Sequence, residues 1–287
     1  MVQHQHASPT VSLVVPAKNE AANLREVLPR LPLVHEVILV DGHSTDGTVE
    51  AAQGVMPDIV VVRQTRKGKG NALAAGFAAA TGDIIVMFDA DCSADPEEIS
   101  AFVRVLTSGA DFAKGSRYAE GGGSEDITPL RKVGNSALNA VANVAFKTKF
   151  TDLCYGYNAF WRDLVPVLDL PALDLPAPAE GMLWGDGFEI ETLINCRFAA
   201  AQVKIVEVPS TELSRLHGES NLRTFRDGVR VLRTIFAEHR RMRRSPEVSR
   251  ITSLERARNR HPRPEAEELE AVDGLLDLNR RAASSSF

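Results

Sequence analysis

The chain is poor in cysteine. Its 287 residues include three, Cys92, Cys154 and Cys196, odd in number and widely spaced. No disulfide framework can be read from them, and a chain of this length needs none to bury a core. No CxxC pair and no Cys/His cluster is present, which removes a structural zinc site. The thiols read as small buried hydrophobes of a protein kept in a reducing cytoplasm. Long apolar runs are also missing. No stretch approaches the roughly 20 residues of a membrane span, and the polar segment Met1–Pro9 lacks the basic start and apolar run of a signal peptide. The expectation is therefore a soluble protein, or one peripheral on the inner face of a membrane. Positive charge is not in excess: 33 Lys and Arg face 38 Asp and Glu, a formal net charge of −5, so no nucleic-acid partner is suggested. Internal repeats are absent as well. The remaining composition, 44% hydrophobic and 25% charged, is ordinary for one large domain with appendages.

What the chain does have is a recurrent pairing of short β-branched runs with helical stretches. Strands are expected at Val11–Val15, Glu36–Val40, Ile59–Val62 and Ile84–Phe88, with helices over Glu20–Leu28, Thr48–Gln53 and Gly70–Ala80 between them. Strands that are apolar throughout, alternating with helices, predict a mostly parallel, doubly wound α/β sheet with helices on both faces. Ligands of such sheets bind beyond the carboxyl ends of the strands. Three carboxylate-bearing loops fall there: Pro16–Glu20, Asp41–Thr48 and Asp89–Asp91. In the second half, helices are expected over Leu130–Phe146 and Phe188–Phe198 and a strand over Val203–Val208. Gly121–Ser124 reads as a flexible loop and 169–178 as a proline-rich surface excursion.

Asp89-Ala90-Asp91 follows a buried strand. Two acids one residue apart can share a hard cation, Mg²⁺ or Mn²⁺, whose other sites water or phosphate can fill. Helix capping, the plainer use of such acids, is already supplied by Asp95 before Pro96. Asp41 extends its strand directly and can accept a bond from a nucleobase or ribose, whereas Ser44 and Thr45 also suit a capped turn. Arg66-Lys67-Gly68-Lys69-Gly70-Asn71 precedes an alanine-rich helix, where backbone amides and cations favour phosphate. It is not a Walker loop. Trp184–Glu189 opens a helix, and Asp186 or Glu189 would be the general base if the acceptor were a hydroxyl; both also suit plain capping and solvation.

Val-Pro-Ala-Lys-Asn-Glu (15–20), Asp-Gly-His-Ser-Thr-Asp-Gly-Thr (41–48), Lys-Gly-Lys-Gly-Asn-Ala (67–72), Gly-Asp-Ile-Ile-Val-Met-Phe-Asp-Ala-Asp (82–91) and Gly-Ser-Arg-Tyr (115–118), in this order, resemble family 2 glycosyltransferases of the GT-A fold. Within them the chain is most similar to the polyprenyl (dolichyl) phosphate sugar synthases, from about Val11 to Leu222. The resemblance implies that Pro16, Ala17, Asn19, Glu20 and Asp41 line the base and ribose of a nucleotide diphosphate sugar. It implies that Asp89 and Asp91, with Ala90 between them, hold Mg²⁺ or Mn²⁺, that Ser116 and Arg117 face the phosphates, and that Arg131 and Arg215 meet the acceptor phosphate. Arg117 would stabilise the departing nucleotide diphosphate, and a single displacement would invert the anomeric centre. Two departures stand out. Ser93 occupies the place of a further oxygen ligand, and Asn221 replaces the lysine that closes the subgroup's pattern over 215–222. The implied reaction is transfer to a polyprenyl phosphate. Transfer to a small phosphorylated metabolite, as in glucosyl-phosphoglycerate synthases, and a non-catalytic nucleotide-binding or membrane-docking module are the alternatives. The early glycine-rich loop of sugar nucleotidyltransferases is absent.

After this region, expected to span 1–221, apolar residues at 222, 225, 229, 232 and 236 form one helical stripe beside Arg223, Arg226, Arg230 and Arg233. A basic amphipathic helix over 222–244 suits an anionic membrane surface, or equally the core or a second subunit in a homo-oligomer. Residues 245–287 are charged, carry one weak amphipathic stretch at Ala266–Leu278, and predict a largely disordered tail.

Overall fold

The computed structural model describes residues 8–125, 127–218 and 224–244, the side chains of 224–226 excepted. The strands are β1 (Val11–Ala17), β2 (Glu36–Asp41), β3 (Val60–Arg63), β4 (Ile84–Met87), β5 (Phe112–Ser116), β6 (Gly123–Ser124), β7 (Asn158–Trp161), β8 (Ile205–Pro209) and β9 (Thr211–Glu212). The helices are α1 (Ala21–Val27), α2 (Thr48–Val55), α3 (Lys69–Ala79), α4 (Ile99–Thr107), α5 (Pro129–Phe146), α6 (Ile190–Ala200) and α7 (Thr224–Arg244). Seven strands form one sheet in the order β3-β2-β1-β4-β7-β5-β8, and β6 and β9 form a small parallel ribbon.

The expected doubly wound sheet is present, and its physical basis is the strand alternation. On β1, Leu13 and Val15 face one layer with Leu24 and Val27 of α1 and Phe102 and Leu106 of α4. Val14 faces the other layer, with Leu73 and Phe77 of α3 and Leu193 and Phe198 of α6. Both faces are thus covered by helices, as buried parallel strands require. Cutting a fully buried anchor such as Leu24 or Leu73 to alanine would cost about 2–5 kcal/mol.

Four strands are not marked by the apolar pattern: β5 and β7 in the main sheet, and β6 and β9, whose ribbon takes in Gly123 and Ser124 of the stretch expected to be a flexible loop. β7 runs antiparallel to both of its neighbours, β4 and β5, so the sheet is parallel only on either side of it. Helix starts follow local chemistry. The Asp95 carboxylate accepts from the Glu97 amide at 3.1 Å, and Thr128 accepts from Arg131 N with Pro129 behind it.

The packing of α7 corrects the expected stripe. The residues it turns inward are Val231, Thr234, Ile235, Glu238 and Met242, which meet Phe146, Cys196 and Ala199 of α5 and α6. Val229 and Phe236, two members of the sequence stripe, are exposed at 59% and 49%, beside exposed Arg233 and Arg240. α7 therefore shares a core with α5 and α6, and a mixed apolar and basic face points away from it. The buried Arg197–Glu238 pair (2.9 Å), with Trp184 Nε1 donating to the same carboxylate, fixes this packing. Residues 245–287, with the stretch at Ala266–Leu278, lie outside the described residues, as do the side chains of Leu222, Arg223, Phe225 and Arg226. No described helix is long and apolar enough to cross a membrane.

Candidate active site

The carboxyl ends of β1, β2 and β4 bring their loops together. Ala17 pairs with Asp41 in register, and the Gly42 amide donates to the Ala17 carbonyl at 2.8 Å. The buried Asp41 carboxylate accepts from Ser44 N at 3.0 Å. Asn19, at φ 59°, donates its amide to Ser44 Oγ and accepts from Thr45 N with its side chain. Asp46 then takes the Ala21 amide at the start of α1 and the Thr48 amide and hydroxyl at the start of α2. The sequence motifs 16–20 and 41–48 are therefore one stapled unit, with Pro16 half-buried at its base.

Four carboxylates and two cations form a continuous belt across this edge. Lys69 Nζ lies 2.7 Å from Asp89 Oδ1 and 2.6 Å from Glu191 Oε1. Arg215 Nη2 lies 2.7 Å from Asp91 Oδ2, and its Nη1 lies 3.3 Å from Glu20 Oε1. Ala90, between the two aspartates, is buried. Burial raises the Asp89 carboxyl above its ordinary range, with Lys69 opposing the effect and the neighbouring acids adding to it. Burial likewise raises Glu20, against the Asn23 amide and Arg215. For Lys69, burial alone would lower the ammonium's pKa, but Asp89 and Glu191 hold it well above its ordinary value. The belt carries an excess of two negative charges, which a divalent cation balances. Ser93 is not a spare oxygen ligand, because its hydroxyl and amide both donate to Asp91 Oδ1, at 2.6 and 3.0 Å. Among the described residues no three His, Cys, Asp or Glu side chains converge as a metal cage. The donor set that fits a hard cation is Asp89 and Asp91, with the remaining positions open to water and phosphate.

Several expected roles change once partners are visible. The amides of Gly70 and Asn71 at the start of α3 donate to the Asp186 carbonyl, at 2.8 and 3.2 Å, so this turn is not an open phosphate cradle. Its glycines serve that close approach instead: a Cβ on Gly70 would overlap the Gly185 carbonyl. Asp186 forms a buried two-point pair with Arg66, at 2.7 and 3.0 Å, and Glu189 accepts from the Gly185 and Gly187 amides. Neither is placed as a free base. Ser116 is fully buried, sharing its hydroxyl with Thr151 and accepting from the Tyr118 and Ala119 amides. Arg117 is committed too. Its Nε and Nη2 pair with Asp152 (2.7 and 2.9 Å), its Nη1 with Glu212 (2.9 Å), and its face lies 4.9 Å from the Tyr155 ring centroid. Asn135 of α5 donates to Asp152 at 3.1 Å, and Arg131, one turn earlier, shares its side of the helix. Glu212 leads through the Leu213 amide, which donates to the Ser93 carbonyl (2.8 Å), back to Arg215.

Residues that the motifs did not reveal are Glu191, Asp152, Glu212 and Lys114. Lys114 on β5 is fully buried and donates to the Gly115 and Tyr155 carbonyls, and burial pushes its pKa down to about 8. Glu191 lies in the first turn of a helix, where an acid ordinarily serves the helix dipole; only the fold brings it to Lys69.

The Arg117–Asp152 pair sets an acid limit on the fold. Burial alone would raise the Asp152 carboxyl, but the hydrogen bonds and charge of Arg117 bring it below its ordinary value. A depressed carboxylate contributes stability that is present above its unfolded value, roughly 3.9, and is lost as pH falls through the folded value. Replacing Arg117 by glutamine removes that contribution and leaves a buried carboxylate uncompensated, at a cost of about 3–5 kcal/mol. Acid unfolding of Arg117→Gln, followed by circular dichroism, should begin on the order of one pH unit higher than in the wild type. An unchanged acid midpoint would refute the assignment.

A doubly wound sheet with two acids beyond its fourth strand fits a nucleotide-sugar enzyme of the GT-A type, and residues 12–167 match the model of glycosyl transferase family 2. The chain belongs to that family and is a glycosyltransferase. It is 31% identical over 256 residues to a dolichol-phosphate mannosyltransferase of Pyrococcus furiosus, covering 85% of this chain and 67% of the relative. It is also 31% identical over 222 residues to a polyprenol monophosphomannose synthase of Mycolicibacterium smegmatis, covering 73% and 80%. Among solved structures, glucosyl-3-phosphoglycerate synthase of Mycobacterium tuberculosis, in complex with Mn²⁺, UDP-glucose and phosphoglyceric acid, superposes with a TM-score of 0.60 at 25% identity, covering 81% of this chain and 80% of that one.

Proposed function

We propose that the protein transfers a hexose from a nucleotide diphosphate sugar, GDP-mannose or UDP-glucose, to a polyprenyl phosphate. The observation that carries this reading is the belt at the strand ends, with its two-charge deficit centred on Asp89 and Asp91. These two residues would hold Mg²⁺ or Mn²⁺; such an ion, when bound, neutralises charge on the leaving diphosphate. The chain's own groups do the rest. Asp41 and the stapled loop around Asn19 offer acceptors and a rigid floor for the nucleoside. Lys69 opposes the effect of burial on Asp89 and favours its ionised form. Arg215 brings a cation from the acceptor side to Asp91 and Glu20. An acceptor phosphate is already anionic and needs no general base, in keeping with Asp186 and Glu189 being otherwise engaged. In-line attack by that oxygen would invert the anomeric centre.

The lipid nature of the acceptor is supported by the names of the relatives and by the outward face of α7. Each arginine near an anionic bilayer contributes about 1 kcal/mol. The charge reversals Arg233→Glu and Arg240→Glu together should therefore weaken binding to phosphatidylserine vesicles at least about tenfold in a flotation assay. Wild-type protein that ignores such vesicles would count against a membrane-borne acceptor. A second reading, transfer to a small phosphorylated acceptor, is favoured by the likeness to a structure holding phosphoglyceric acid. Incubation with each nucleotide sugar, Mg²⁺ or Mn²⁺, and either a short polyprenyl phosphate or 3-phosphoglycerate separates the two. The lipid-linked sugar is the expected product. Nucleotide release with phosphoglycerate alone would move the assignment, and no release with any donor would sink both.

A further inference from the structure

On the flank formed by the far ends of α5, α6 and α7 lies a cavity of about 840 Å³. Its apolar wall includes Phe146, Phe150, Val203 and Met242, and its rim carries Lys147, Lys149 and Arg243. All three cations are exposed, and none is ion-paired among the described residues. The one acid in the wall, Glu207, is already occupied by the amide and hydroxyl of Thr151, at 2.8 and 2.6 Å. Ile205 and Glu207 belong to β8, an edge strand of the sheet. The cavity lies beside the start of β8, whereas the donor-site loops lie beyond the carboxyl ends of the strands. None of its lining residues belongs to the donor site.

We infer that this cavity is the seat of the protein's own acidic segment 265–278. Residues 265–278 contain six acids, Glu265, Glu267, Glu268, Glu270, Asp273 and Asp277, and no Lys or Arg. At helical spacing Leu269, Val272 and Leu276 share one face, the pattern of an amphipathic helix laid into an apolar groove. Gly274 lowers its helix propensity by about 1 kcal/mol relative to alanine, so the segment gains its order from a surface rather than alone. The chain leaves α7 at Arg244, next to Met242 and Arg243 of the cavity wall. Residues 245–264, twenty in number, span up to roughly 70 Å when extended, enough to turn back. A tether of that length gives an effective concentration on the order of millimolar, so weak complementarity suffices. Seated there, the segment braces α5, α6 and α7 against one another from behind and leaves Arg233 and Arg240 on the other face open.

The test uses the full chain, with a photo-crosslinking benzoylphenylalanine replacing Leu269 in one sample and Leu276 in another. After irradiation, adducts are mapped by mass spectrometry in a mixture of isotope-labelled and unlabelled protein. Adducts within one copy, on residues 145–150, 199–207 or 242–243, are expected. Lys149→Glu with Arg243→Glu, both exposed positions, should lower their yield at least fivefold. Glu267→Lys with Glu268→Lys should restore it in that background. Adducts around Val229 and Phe236, adducts only between copies, a yield no higher than with the chromophore at Ser285, or indifference to the charge reversals would each overturn the assignment.

Discussion

Asp89→Ala and Asp91→Ala should each lower the rate of sugar transfer roughly 10³-fold, about 4 kcal/mol of barrier, while leaving the fold intact. The expectation rests on where these carboxylates stand. Asp89 is one residue past the buried Phe88 and held by Lys69, and Asp91 is held by Arg215 and aimed by Ser93. Removing one takes away one of the two carboxylates that would hold the ion. It also reduces the crowding of like charge in the belt, so melting in the absence of divalent ions should be unchanged or slightly higher. Added Mn²⁺ should raise the wild-type melting temperature through binding to the folded state and should leave both variants unmoved. A variant that retained both the Mn²⁺ response and the turnover would refute the site.

A large effect on stability is expected at Asp186. Its carboxylate and the Arg66 guanidinium are each 2% exposed, and Arg66 Nη1 also donates to the carbonyls of Ala172 and Leu175, at 2.8 and 3.0 Å. Asp186→Ala leaves a buried cation facing carbonyls alone, which costs about 3–5 kcal/mol. Replacing both members by apolar groups, Arg66→Met with Asp186→Leu, should recover most of that loss. Urea denaturation measures both variants. A general base would behave in the opposite way, with full stability and turnover lowered by about 10²–10⁴. That outcome for Asp186→Ala would restore the base and remove the structural role.

Asp89, Asp91 and Asp186 together show what was legible in the sequence. Asp89 and Asp91 could be placed because they follow a strand that is apolar at every position from Ile84 to Phe88, and a strand end is a position in space. Asp186 follows no such strand, and its meaning depends on Arg66, 120 residues away. Arg117 was hidden for the same reason: its partners Asp152 and Glu212 are 35 and 95 residues distant. β5 and β7 were missed because Lys114, Gly115 and Asn158 break the apolar pattern that marked the first four strands. Those polar residues are tolerated where carbonyls such as those of Gly115 and Tyr155 receive them. On α7 the helical period is legible in the sequence and the buried face is not. Burial there is set by what α5 and α6 present, and Glu238 is drawn inward by Arg197.

The strand order carries a consequence for synthesis. β3, β2, β1 and β4 are contiguous both in the chain and in the sheet, so the half that carries Asp41, Asp89 and Asp91 can assemble as soon as it leaves the ribosome. The outer edge of β4 then waits for β7, which ends 74 residues after Met87. At the usual 5–20 residues per second that is roughly 4–15 s. Through that interval Ile84–Met87 presents an unpaired, wholly apolar edge, the kind of surface that templates aggregation. The nascent chain is therefore most in need of a chaperone between the completion of β4 and the arrival of Asn158–Trp161.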